Sequence, residues 1–131
     1  MAWISRQTTI DRPPDEVWDA VRDFGALHER LARGFATDVQ MDGADRIVTF
    51  FNGAVVRETP IACDDAARRL SWSIVDGPYT HHNGVAQVAD APDGGTLFTW
   101  TTDLLPDAAA ERTAAMMDQG IEAIQRTLEG G

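Results

Sequence analysis

The period at which apolar residues recur changes along this chain, and each change marks an element. Val17, Ala20, Val21 and Phe24 are spaced i, i+3, i+4 and i+7, one buried face of a helix near 13–23. Residues 2–10 before it read as a strand. Pro13 and Pro14 stand at the junction, where a first helical turn tolerates a missing N–H. Asp15 and Glu16 set negative charge against the positive end of the helix dipole. Leu27 and Leu31 then form the i, i+4 pair of a short helical turn near 25–32.

From Phe35 to Leu105 the period shortens to that of strands. Segments 35–41, 46–51, 54–62, 68–75, 81–89 and 96–104 are divided by Asp42-Gly43, Asn52-Gly53, Asp64-Asp65, Asp76-Gly77-Pro78 and Pro92-Asp93-Gly94-Gly95. After Pro106-Asp107 one long helix is predicted to about Glu129, closed by Gly130-Gly131. Met117, Ile121, Ile124 and Leu128 form its apolar stripe. Gly120 interrupts that helix at a cost of roughly 1 kcal/mol against alanine. A close approach to the sheet, or room for a ligand, is expected there. The order β-α-α-β6-α predicts an α+β fold, one domain over 1–131, whose curved antiparallel sheet wraps the last helix and leaves space between them.

Alternation also selects the face that looks into that space. Leu70, Trp72 and Ile74 alternate with serines, and Phe98 and Trp100 with threonines. On 81–89, His82, Gly84, Ala86 and Val88 share a face. The Asn52-Gly53 hairpin leaves two registers. A two-residue loop sets Phe51 opposite Ala54 and turns Arg46 and Glu58 to opposite faces. A three-residue loop with a glycine bulge sets Phe50 opposite Ala54 and Arg46 opposite Glu58.

Charge and composition then remove several functions. The chain carries a formal net charge of −10, which disfavours nucleic acid and stable association with an anionic membrane. All eleven basic residues are arginine, which excludes lysine Schiff-base chemistry. Cys63 is alone, so no internal disulfide forms. No long apolar run or signal-peptide core is evident, and a cytoplasmic protein is expected. His81 and His82, adjacent on a strand, point to opposite faces and make a poor metal chelate. No phosphate loop, dinucleotide fingerprint or nucleophile elbow is present. Neither metal nor cofactor is expected.

Read in order, Ile10-Asp-Arg-Pro-Pro-Asp-Glu-Val-Trp18, Asp23-Phe24, Gly43, Arg46, Asn52-Gly53, Arg57-Glu58, Asp64-Asp65, Leu70-Ser-Trp-Ser-Ile74, Gly95-Thr96, Trp100, Asp103 and Pro106 resemble the helix-grip superfamily (SRPBCC). That superfamily includes START-like lipid-transfer domains, birch-pollen-allergen-like proteins and bacterial polyketide cyclase/dehydrase proteins. Within it the chain is similar to the small bacterial branch that also resembles plant abscisic acid receptors. The resemblance implies a hydrophobic cavity under the C-terminal helix, and it favours the three-residue loop. It also suggests Arg33 as a basic ligand anchor, ranked below Arg46. The segment between the third and fourth strands is short for a ligand gate, and His82 stands where many relatives carry tyrosine.

The expected ligand-binding set is Arg33, Arg46, Phe50, Glu58, Trp72, His82, Phe98, Trp100, Met117 and Ile121. Its ligand would be a lipid, polyketide, isoprenoid or aromatic compound. The alternative is an aromatase/cyclase or dehydratase, with Glu58, His82 and Arg46 as catalytic candidates and Glu58 orienting His82 as a base. A third reading makes the loop at Gly77-Pro78-Tyr79 a docking surface for a protein partner. A homodimer is compatible with all three. Each candidate has a plainer reading. Arg46–Glu58 would be a surface ion pair worth ~0.2–1 kcal/mol. The tryptophans would be core, and His82 a satisfied hydrogen-bonding group.

Overall fold

A computed structural model describes residues 1–130. Its seven strands are β1 (Ala2–Ile10), β2 (Ala36–Asp42), β3 (Asp45–Phe50), β4 (Val55–Asp64), β5 (Arg69–Ile74), β6 (His81–Asp90) and β7 (Thr96–Leu105). They form one antiparallel sheet in the order β1-β7-β6-β5-β4-β3-β2. Helix α1 (Pro14–Arg22) and two short turns, Phe24–Ala26 and Leu27–Leu31, separate β1 from β2. Helix α2 (Ala110–Glu129) closes the concave face, giving the expected helix-grip arrangement. Among the described residues no helix is long and apolar enough to cross a membrane.

Pro14 opens α1 at its first position, with Asp15 and Glu16 in the first turn. Val17, Trp18, Ala20 and Val21 are its buried side. No side chain caps it. It is fastened instead through the β4–β5 turn, where the Asp65 carboxylate accepts hydrogen bonds from Trp18 Nε1 (2.9 Å) and Arg22 Nε (2.9 Å). Those two donors hold the Asp65 carboxyl below the usual carboxylate range.

The β3–β4 connection is the three-residue form. The Phe50 N–H donates to Ala54 O at 2.8 Å, Gly53 takes φ +86°, and Asn52 Oδ1 accepts the Ala54 N–H at 3.1 Å. Arg46 therefore faces Glu58, and Val48 faces Val56. Beyond Glu58, β4 runs past the end of β3 and pairs only with β5. Pro60 lies there, and a bulge follows it at Ile61, so its missing N–H removes no ladder bond to β3.

Helix α2 buries Thr113, Met117, Gly120, Ala123, Ile124 and Thr127. Thr113, Met117, Gly120, Ile124 and Thr127 alternate by four and three, a smaller-residue line than the expected Met117–Ile121–Ile124–Leu128 stripe. Ile121 and Leu128 sit to one side of it, half-buried against the core. The reason for Gly120 is close approach. A Cβ there would lie 2.6 Å from Trp100 Cζ3 and 3.1 Å from Phe35 Cε2. Ties from β1 and the link after it complete the grip: Gln125 Nε2 donates to Thr9 O at 3.0 Å, and Arg12 donates to Glu129 O at 2.8 Å.

The substitution Gly120→Ala sets a helix-propensity gain of about 1 kcal/mol against an overpacking cost of about 1–3 kcal/mol. The rigid Trp100 ring sits on the losing side of that balance, so we expect the melting temperature to fall by about 4 °C in a circular-dichroism melt. A higher melting temperature would mean that Trp100 is not held against the helix.

Candidate functional site

Between the concave face and α2 lies a cavity of about 240 Å³. Alternation builds its wall. Arg46 and Phe50 come from β3, Val56 and Glu58 from β4, and Leu70, Trp72 and Ile74 from β5. His82 and Ala86 come from β6, and Phe98, Trp100 and Thr102 from β7. Met116 and Met117 approach from α2. Asn52 and Ala54 of the β3–β4 turn, Pro78 of the β5–β6 loop and Arg112 of α2 are exposed lining residues and mark the mouth.

Eight of the ten expected binding residues line this space: Arg46, Phe50, Glu58, Trp72, His82, Phe98, Trp100 and Met117. Arg33 and Ile121 do not. Arg33 is exposed just past the Leu27–Leu31 turn, where its backbone N–H donates to Thr127 Oγ1 (3.0 Å) and its guanidinium reaches Thr127 O (3.3 Å). It ties that turn to the end of α2 instead of entering the cavity. Ile121 is displaced by the shift of the buried line toward Gly120. Conversely, sequence patterning passed over Arg112, Thr113, Tyr79 and Phe35 as lining residues. Tyr79 and Arg112 lie outside the strands, so alternation has no hold on them. Placing them needs the crossing of the β5–β6 loop with α2, where the Tyr79 hydroxyl lies 2.6 Å from Thr113 Oγ1.

The polar groups fall in one row across the sheet. Arg46 pairs with Glu58, and Glu58 with Ile74. Arg46 Nε donates to Glu58 Oε1 at 2.8 Å, and both side chains are about 5–6% exposed. Arg46 also donates to Phe24 O at 3.1 Å, and its guanidinium lies 3.9 Å from the Phe24 ring centroid. This is a buried, partnered pair, not a surface one.

The β5–β6 ladder ends at Trp72–Gly84, and the His82 side chain takes over one step beyond. The Ile74 N–H donates to His82 Nδ1 at 3.0 Å. That bond leaves the ring proton on Nε2, because a protonated Nδ1 has no lone pair to accept it. Burial first, and the charge of neighbouring His81 second, push the His82 pKa down to about 4. The Tyr79 ring packs over it with centroids 4.9 Å apart. Glu58 makes no hydrogen bond to His82, so the expected carboxylate-oriented base is not assembled. His81 lies on the opposite face, exposed, with Nε2 3.5 Å from Asp103 Oδ2.

Residues 1–129 match the family profile described as polyketide cyclase/dehydrase and lipid transport. No curated protein matches the chain. Among solved structures, the protein XoxI from Bacillus cereus is 20% identical with a TM-score of 0.84, covering 98% of this chain and 96% of that one. An uncharacterised protein from Bacillus thuringiensis is 19% identical at a TM-score of 0.85, over 97% and 98% of the two chains. A protein from Thermobifida fusca is 25% identical at 0.79, over 98% and 91%. These likenesses rest on the same sheet and helix and bear on the fold.

Two measurements probe the row. Removing one partner of a buried ion pair strands the other charge, so Arg46→Met is expected to cost about 3–5 kcal/mol in urea unfolding. The double variant Arg46→Met/Glu58→Leu should recover most of that loss; failure to recover would place the Arg46 effect elsewhere. For His82 the folded pKa of about 4 lies below the unfolded value near 6.5. Between them the unfolded chain binds more protons, so stability present above pH 6.5 is lost as pH falls toward 4. The loss amounts to at most about 3 kcal/mol. Stability measured at pH 7 and pH 4 should fall less in His82→Asn than in the wild type, by about that amount.

Proposed function

The chain belongs to the polyketide cyclase/dehydrase and lipid transport family, and from that premise we propose that it binds a compact hydrophobic molecule in the cavity under α2. The observation that carries this reading is the cavity itself. Its wall is predominantly aromatic and aliphatic, with a few polar groups gathered in one row, the composition of a small-molecule site. Its volume of about 240 Å³ lies just below the ~300–1,000 Å³ usual for drug-sized ligands. That favours a mono- or bicyclic aromatic or a short isoprenoid over a long acyl chain.

The cyclase or dehydratase half of the family description would require a group ready to take a proton. Arg46 engages Glu58, and the Ile74 N–H occupies the basic nitrogen of His82. His82 therefore has no free basic nitrogen and no carboxylate orienting it, so binding without turnover is the better reading.

N-phenyl-1-naphthylamine, a neutral three-ring dye that brightens in apolar surroundings, tests it. The wild-type chain should bind the dye with micromolar affinity. Ala86→Phe, which fills the wall, and Met116→Trp, which narrows the cavity from α2, should each weaken it at least tenfold while retaining the circular-dichroism spectrum. Unchanged affinity in both folded variants would show that the dye, and with it the proposed ligand, does not use this cavity.

A further inference from the structure

Resting on that binding role, we infer that the ligand is uncharged and carries a hydrogen-bond acceptor, the carbonyl of a ketone, quinone, ester or lactone, received by the Nε2–H of His82. The first support is the charge balance of the wall. Its one carboxylate, Glu58, and its one buried cation, Arg46, face each other at 2.8 Å and cancel. An incoming carboxylate would have to draw Arg46 away and leave a second buried anion without a partner, which is strongly unfavourable at so little exposure. The remaining cation, Arg112, has no ion-pair partner among the described residues, but it is exposed at the mouth, where water and salt screen it.

The second support is the direction of the free hydrogen bonds. With Nδ1 accepting from Ile74, the His82 ring offers the cavity only a donor. Its Nε2 has no protein partner among the described residues. It is also absent from the sealed, unpartnered polar atoms, so it still touches open space. Burial keeps the ring neutral, so what it presents is an N–H dipole without a formal charge. Trp100 Nε1 and Thr102 Oγ1 of the same wall have no protein partner but are sealed from the cavity, so His82 Nε2 is the donor a ligand can reach. An open N–H donor beside a neutralised ion pair favours an acceptor that brings no charge, which is the description of a carbonyl.

Three probes of nearly equal shape separate the alternatives: 2-acetylnaphthalene, 2-ethylnaphthalene and 2-naphthoate, each titrated into the full chain by calorimetry. The ketone should bind about five- to tenfold more tightly than the hydrocarbon, the worth of one hydrogen bond. It should bind at least tenfold more tightly than the carboxylate. His82→Leu should erase the ketone's advantage over the hydrocarbon. In the wild type, the His82 Nε2 resonance in a ¹⁵N spectrum should shift with the ketone and not with the hydrocarbon, a readout that does not depend on the variant's folding. Naphthoate binding as tightly as the ketone, or a ketone preference without any Nε2 shift, overturns the inference. Dye binding in the cavity with no ketone preference overturns it while leaving the binding role standing. If the dye and all three probes fail to bind, the binding role falls with it.

Discussion

Side chains along a strand alternate between faces, so the inner surface of this sheet depends on the number of residues in each turn. The β3–β4 turn is where that dependence bites hardest. Three residues, Phe51 to Gly53, carry the chain round, with Gly53 in the left-handed region at φ +86° that a residue with a Cβ enters at a cost. One residue fewer would shift the pairing by one, and a shift of one exchanges the faces of a strand. Arg46 would keep its place among Phe24 and Trp72, while Glu58 turned out to water. The guanidinium would then be buried alone. The Asn52 side chain, which accepts the Ala54 N–H, fixes the longer turn.

With parity set, the rest of the polar row follows in sequence. Arg46 opposite Glu58 places Glu58 opposite Ile74, and Ile74 hands its N–H to His82 at the frayed end of the β5–β6 ladder. A buried ion pair is a weak source of stability, since desolvating two charges offsets most of their attraction. What it contributes here is orientation. Arg46 is held at once by Glu58, Phe24 O and the Phe24 ring, so the wall keeps one arrangement of charge.

Most of this architecture was legible in the sequence because strand alternation is strong where serines or threonines separate large apolar residues. Leu70, Trp72 and Ile74 declared their face in that way, as did Phe98 and Trp100. The hairpin did not, since Asn52-Gly53 suits both loop lengths and only a resemblance to relatives chose between them. Ile121 was misplaced for a related reason. A helix stripe drawn through its largest residues ignores the small ones, and here Thr113, Gly120, Ala123 and Thr127 let the helix settle closer to the sheet. Arg33 and Tyr79 were beyond periodic reasoning altogether, because both lie in irregular segments whose direction is set by what they meet. The His82 tautomer was equally hidden, as it depends on where a ladder of backbone hydrogen bonds stops.

The cavity owes its form to two glycines as much as to its aromatic wall. A Cβ on Gly84 would fall 2.6 Å from Trp72, as one on Gly120 would from Trp100. The two indoles thus rest flush against strand β6 and helix α2, with their ring centroids 6.4 Å apart. Were either residue larger, an indole would be driven into the space between sheet and helix, and the 240 Å³ would shrink. The backbone is therefore drawn close in two places so that the interior stays open in a third. Such an opening gives up dispersion contacts in the ligand-free chain. An apolar molecule that enters restores them without competing with any hydrogen bond already made by Arg46, Glu58 or His82 Nδ1. On the binding role proposed above, those recovered contacts are what would hold such a molecule under α2.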